Sequence, residues 1–257
     1  MVRSIPPEGF ALTRLVQLEL ALAAATFVAL RLVVAPYGRH LRAGWGPTLP
    51  ARLGWVLMES PSVLFFAWVY ARGPHRGDPT PLVLLGLWEL HYLQRTAVYP
   101  LRMRANGRRM PALIALLAIA FNLLNSWNNA GWISGAGALG AGWLHGWRFL
   151  TGAALFAAGF GLNLSSDGIL FRLRAPGEQG YRIPRGGLYR WVSSPNYLGE
   201  MIEWCGWALA AWSPAGLAFA LYTVANLAPR AVQNHRWYRE AFPDYPKERR
   251  ALIPFVV

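Results

Sequence analysis

Residues 55–70 read WVLMESPSVLFFAWVY. Trp, Val, Leu and Phe make the stretch apolar enough for lipid, yet Glu59 and Pro61 sit inside it. Coiled as an α-helix, a window of this character about 20 residues long crosses the roughly 30 Å of hydrocarbon in a bilayer. The period-two alternation of a barrel strand is absent. The stretch therefore predicts a membrane helix whose carboxylate has to be explained, because an ionisable group inside a span is costly unless paired, hydrated or neutralised.

Six further windows share that character, and the predicted spans are 12–34, 53–71, 81–100, 111–130, 146–164, 196–212 and 214–235. With 54% hydrophobic and 14% charged residues in a chain of 257, the composition excludes an ordinary soluble domain. The expected fold class is all-α, a polytopic membrane protein of seven transmembrane helices. No repeat, low-complexity tract or long linker divides it, so residues 1–257 are expected to form one domain. The run ALAAATFVAL at 21–30 lacks a basic n-region and cleavage site and is expected to be a retained helix, not a leader.

Lys and Arg number 25 against 12 Asp and Glu, a net charge of +13. Eighteen of the basic residues fall on one set of alternate connections and five on the other. By the positive-inside rule this places the N-terminus outside and the C-terminus in the cytoplasm. The basic side is almost purely arginine, whose planar fork grips phosphate bidentately; attraction to anionic lipid is the competing explanation. A nucleic-acid partner is not expected. The lone Cys205 excludes an internal disulfide and a cysteine-based metal centre.

The connection 165–195 contains most of APGEQGYRIPRGGLYRWVSSPN, whose Gly, Pro and aromatics predict an ordered functional loop. Its amides beside Arg182, Arg185 and Arg190 would suit an anion nest. Gly135, Gly137 and Gly140 spell GxGxxG, but they join two membrane helices with no preceding strand, so a dinucleotide fingerprint is rejected.

Ionisable residues within spans carry the candidate chemistry. Desolvation favours Glu59 as a neutral acid that donates a hydrogen bond; a structural pairing with Arg95 is the alternative. In LWELHYLQRTAVYP, residues 87–100, Tyr92, Arg95 and Tyr99 fall on one helix face and are expected to line a cavity. Asn163 and Asp167 are spaced i, i+4, while Asn196, Glu200, Glu203 and Trp204 recur at helical spacing. Such a stripe suits ribose hydroxyls and an amide-bearing ring, or ordinary interhelical hydrogen bonds. Arg230, Asn234, His235 and Tyr238 form a fourth polar group. His235 has no second ligand at i+3 or i+4, so no metal is expected. Ser193, Ser194 and His235 lack the GxSxG elbow of a serine hydrolase.

Residues 163–213, NLSSDGILFRLRAPGEQGYRIPRGGLYRWVSSPNYLGEMIEWCGWALAAWS, together with HRWYREAFPDYPKERRALIPF at 235–255, resemble the steroid 5α-reductases, NADPH-dependent membrane reductases of 3-oxo-Δ4 steroids. The likeness continues through PYGRH, MESPS and LHYLQRTAVYP. It implies seven helices, with residues 1–110 on the substrate side and 111–257 mainly binding NADPH. It implies that Glu59 and Tyr92 hold the 3-oxo group. It implies further that Arg108, Asn163, Asp167, Arg174, Arg182, Asn196, Glu200, Trp204, Arg230, His235 and Tyr238 surround the nucleotide, joined by Tyr37 and Arg95. Two positions depart from the family pattern: Met58 stands where vertebrate members carry glutamine, and Gln233-Asn234-His235 replaces a histidine run.

The expected partners are a steroid or sterol-like lipid and membrane lipid, with the chain a monomer. The expected membrane is a bacterial inner membrane, or the endoplasmic reticulum in a eukaryote. Competing readings are an isoprenylcysteine-type methyltransferase using S-adenosylmethionine, an enoyl-thioester or other sterol double-bond reductase, and a non-enzymatic lipid-binding or transport protein.

Overall fold

The computed structural model describes residues 7–103, 107–135, 137–173, 178 and 180–256, with side chains from Leu12 onward. Among these, helical runs occur where the apolar windows predict them: α1 Pro7–Leu32, α2 Ala51–Tyr70, α3 Pro79–Leu93, α5 Ala112–Ser134, α6 Trp147–Arg172, α7 Pro195–Ala211 and α8 Pro214–Ala241. A π-helical turn, Gln94–Val98, carries α3 without a break into the single turn α4, Tyr99–Arg102. Proline marks several starts, at the first turn of α3, α7 and α8, where its missing N–H costs nothing. Ser213 also caps α8 by accepting from the Gly216 amide at 2.9 Å.

The all-α expectation needs one amendment. Strand β1, Thr48–Pro50, pairs antiparallel with β2, Arg109–Pro111. Arg109 fastens the ribbon by donating to the Thr48 hydroxyl at 2.7 Å and to the Thr48 carbonyl at 2.6 Å. Each strand leads directly into a helix, so the ribbon fixes the starts of α2 and α5 side by side at one end of the bundle. Sequence patterning missed it because three residues are too few to show a period.

The helices pack chiefly as pairs, α6 on α7, α2 on α5 and α1 on α8. Trp88 of α3 is sealed in the middle, stacked on Phe66 at 4.3 Å and touching Trp204, Trp207 and Phe219. Outward, Leu64, Leu101, Leu116 and Trp147 stay 61–76% exposed, a surface suited to acyl chains. By length and composition, Leu12–Leu32, Ala51–Tyr70, Ala112–Ser134 and Trp147–Arg172 qualify as membrane-crossing helices. The helices α3 and α7, with 15 and 17 residues, are too short for that measure, and α8 is too polar, carrying Asn226, Arg230 and the charges that follow. Glu89 and His91 lie on α3, and Glu200 and Glu203 on α7. Most of those side chains turn inward, toward the site.

Candidate active site

A cavity of about 950 Å³ opens within the bundle, at the top of the size range of ligand pockets. Its walls include Glu59, Tyr92 and Arg95 from the first helices, Asn163, Asp167, Asn196 and Glu200 from α6 and α7, and Arg230 and Tyr238 from α8. Tyr37, Arg108 and Arg182 join from the connections. Two expected residues among those described are absent from that wall. Trp204 is buried in the aromatic core behind Tyr92, with ring centroids 5.6 Å apart. His235 meets the hydroxyl of Ser193, itself a wall residue, at 2.6 Å, and Tyr245 meets the same hydroxyl at 2.6 Å. Arg174 lies outside the described residues.

Glu59 owes its position to a disrupted stretch of α2. Pro61 has no N–H for the Leu57 carbonyl, and the Ser60 hydroxyl donates to it at 3.1 Å instead. Neighbouring carbonyls are also claimed from outside: Asn122 of α5 donates to Met58 O at 2.6 Å, and Trp88 of α3 donates to Ser62 O at 2.8 Å. These crosslinks hold α2, α3 and α5 together around the carboxyl. Met58, one of the departures from the family pattern, also lines the cavity.

Arg95 lies in the π-helical turn, a feature that re-aims side chains and recurs at functional sites. Its guanidinium sits over the rings of Trp55, at 4.8 Å, and Tyr99, at 4.4 Å. From there it reaches Asp167 at 3.5 Å. Asn196 donates to the other Asp167 oxygen at 3.0 Å, and Asn163 donates to the Asn196 carbonyl at 3.0 Å. Asn163 Oδ1 is buried and has no hydrogen-bond partner, an acceptor left over for a ligand.

At the end where α2 and α5 begin, the wall turns cationic. Arg230 donates to the Tyr197 hydroxyl at 3.0 Å and lies over Tyr37 at 4.8 Å. Arg39 is caged by Tyr181, Trp237 and Tyr238 at 5.5, 4.9 and 4.4 Å. Arg108 also faces Tyr181, at 5.2 Å. His40 meets Asn234 at 3.1 Å; burial lowers its pKa, opposed by that hydrogen bond. The arrangement can hold an anionic, phosphorylated ligand at this end and a polar carbonyl deeper, near Glu59 and Tyr92.

Several wall residues were given no role from sequence: Arg39, His40, Asn122 and Tyr197, while Asn234 was marked only as part of a polar group. Arg39 and His40 lie in the quoted block PYGRH, and Tyr197 follows Asn196, so adjacency was a usable signal. Asn122 carried none, sitting in a run of asparagines that reads as helix packing. Among the described residues no group of three His, Cys, Asp or Glu gathers as a metal site.

Residues 108–257 match the family model described as 3-oxo-5-alpha-steroid 4-dehydrogenase. The steroid 5-alpha-reductase of Gossypium hirsutum is 44% identical over 240 residues, covering 91% of this chain and 93% of that protein. The 3-oxo-5-alpha-steroid 4-dehydrogenase 1 of Bos taurus is 44% identical over 254 residues, covering 97% and 98%. The Homo sapiens protein of that name is 39% identical over 247 residues, covering 95% of each.

Proposed function

Because the chain belongs to the 3-oxo-5-alpha-steroid 4-dehydrogenase family, we propose that it reduces the Δ4 double bond of 3-oxo steroids such as testosterone and progesterone with NADPH, inside the 950 Å³ cavity. The observation that carries this reading is that Glu59 and Tyr92 share one cavity with Arg108, Arg182 and Arg230. A carbonyl-holding pair and a phosphate-holding set are thereby joined in one space.

The residues present suit the nucleotide. The arginine forks would hold its phosphates, and Asn163, with its unpartnered acceptor, Asn196 and Glu200 would hold the nicotinamide end. Arg95, Asp167, Tyr37 and Tyr238 complete that wall. When bound, NADPH supplies the hydride equivalent for C5. Reduction at C5 of the conjugated enone pushes negative charge onto the 3-oxo oxygen, where the Tyr92 hydroxyl and a protonated Glu59 donate hydrogen bonds. Those bonds strengthen as the charge grows, and each donor in so enclosed a site contributes about 3 kcal/mol to the transition state. This answers why an acid is placed within an apolar helix: as a neutral donor it needs no counter-charge.

The same reading gives seven crossings, the N-terminus outside and the arginine-rich end in the cytoplasm, where NADPH is available. Residues 1–110 then supply most of the steroid side and 111–257 most of the nucleotide side. The acyl-chain-facing surface gives the steroid a route from lipid, and the chain acts as a monomer.

The test is purified protein in lipid nanodiscs, given testosterone or progesterone with NADPH, NADH or S-adenosylmethionine. The expected result is a 5α-reduced 3-oxosteroid formed one-for-one with NADPH consumed. No reduced steroid with NADPH, or methyl transfer from S-adenosylmethionine, overturns the reading.

A further inference from the structure

His91 follows Glu59 and Tyr92 into the cavity wall, yet holding the 3-oxo oxygen does not use it. Its Nδ1 lies 2.7 Å from Glu203 Oε1 on α7. Both side chains are sealed from outside, with His91 2% and Glu203 0% exposed. Glu203 Oε2 has no hydrogen-bond partner. An ionised carboxylate with one contact in so dry a place would be left largely unsolvated. The pair is therefore held net-neutral, with one proton along the Glu203–Nδ1 contact and one on Nε2, the nitrogen left for the cavity. Trp204 and Tyr92 pack edge-on against the ring, at 4.6 and 4.9 Å between centroids, and lock its orientation.

Reduction at C5 leaves an enolate that must take a proton at C4. That carbon is bonded directly to the carbonyl carbon, so its acid has to stand beside the groups that hold the carbonyl oxygen. His91 is next to Tyr92 both along the helix and in packing.

We infer that His91 is the acid that protonates C4 and that Glu203, acting through His91, replaces the proton, an assignment that rests on the reductase reading above. The Nε2–H bond breaks as the enolate's electron pair forms the C4–H bond and the C3–O double bond returns. At the same time Nδ1 takes the proton of the Glu203 carboxyl. His91 stays neutral with its proton moved from one nitrogen to the other, and the enolate's charge ends on Glu203. The charge is short-lived: a proton from the medium, carried by water in the cavity, returns to Nε2 of His91, which lines it, while Nδ1 gives its proton back to Glu203.

The test uses full-length enzyme in nanodiscs. His91→Gln is expected to lower kcat about 100-fold, the size of a lost general acid. Its KM for steroid, and the quenching of tryptophan fluorescence by steroid, should stay within about threefold, as expected for a group used only in the chemical step. Glu203→Gln should lower kcat with the same KM pattern, and imidazole should restore turnover to His91→Ala by about tenfold or more. In 15N spectra of ring-labelled histidine, the signal missing from His91→Gln should show a protonated Nε2 in the wild type. Should His91→Gln fail to fold, the same signal is assigned as the one that persists when His40, His75, His145 and His235 are changed to Gln one at a time, and an unprotonated Nε2 there overturns the assignment. Wild-type protein that reduces no 3-oxo-Δ4 steroid overturns this inference together with the reductase reading. Active wild type alongside His91→Gln of equal kcat overturns the acid assignment alone.

Discussion

Arg95 Nη1 reaches Asp167 Oδ2 at 3.5 Å, and with Asn196 on the other Asp167 oxygen this single carboxylate ties the π turn after α3 to α6 and α7. The two side chains are only 10% and 4% exposed, so neither charge can turn to bulk water. Asp167→Asn keeps an acceptor for Asn196 but takes away the carboxylate to which the guanidinium donates. The expected loss is about 3 kcal/mol of stability, seen as a lower melting temperature in detergent. Replacing both residues together, Arg95→Leu with Asp167→Leu, should destabilise less than Asp167→Asn alone, because no guanidinium is left without the carboxylate it donates to. A double variant at least as unstable as the single one would show that the pair contributes more than charge neutralisation.

Glu59 and Tyr92 are proposed to act only as charge develops on the carbonyl oxygen. Tyr92→Phe removes one donor without changing the shape of the wall. The expected fall in kcat is about 100-fold, with NADPH affinity unchanged, matching the loss of one oxyanion donor. Glu59→Gln retains a weaker donor and should also slow turnover while sparing nucleotide binding. Single-turnover absorbance with preloaded nucleotide separates the two effects. If both variants reduce steroid at the wild-type rate, these side chains have no part in the chemistry.

The helical windows were legible because lipid and the core both select apolar residues over stretches as long as α1, α2, α5 and α6. The polar wall was legible in part for the opposite reason: Glu59, Arg95 and Asp167 stand out against an apolar background. What the sequence hid is what depends on partners distant along the chain. Nothing local in HRWYREAF says that His235 turns to Ser193 and Tyr245 while Arg39 occupies an aromatic cage nearer the cavity. The π turn was equally silent, since a single added residue per turn leaves no periodic trace in eleven letters. Trp204 follows Glu200 at helical spacing, and no local signal says that it packs on Trp88 and Phe219.

Backbone proximity of α6 and α7 sets the geometry of the polar wall. Gly152 and Gly159 on α6 face Gly206 and Gly199 on α7, each pair member seven residues from the next. A methyl group on Gly152 would come 2.5 Å from the Ala210 amide nitrogen, and one on Gly199 would come 2.6 Å from that of Asn163. Small residues let membrane helices approach this closely. Gly199→Ala is therefore expected to cost about 2 kcal/mol by overpacking and to weaken NADPH binding by moving Asn163 from Asn196. Gly161→Ala, where nothing lies within 4 Å, serves as the control and should leave affinity unchanged and the melting temperature no lower, since alanine favours a helix interior over glycine. Equal behaviour of the two variants would mean that the helices yield without cost.

His40 joins the connection after α1 to Asn234 of α8 at 3.1 Å. Its pKa is lowered first by burial; the Asn234 hydrogen bond opposes this, and Arg39 and Arg42 add to it. A group held neutral in the folded state binds fewer protons than the unfolded chain as pH falls through the ordinary histidine value of about 6.5. Unfolding free energy therefore rises with pH in that range. The contribution is fully present above it and is lost as the medium becomes more acidic. Melting temperature should be flat from about pH 7.5 upward and decline toward about pH 5.5, and His40→Gln should make the decline shallower. Because the ring lines the cavity, saturating NADPH should protect the wild type across the same range by mass action. An identical slope in wild type and His40→Gln would place the acid sensitivity elsewhere in the bundle.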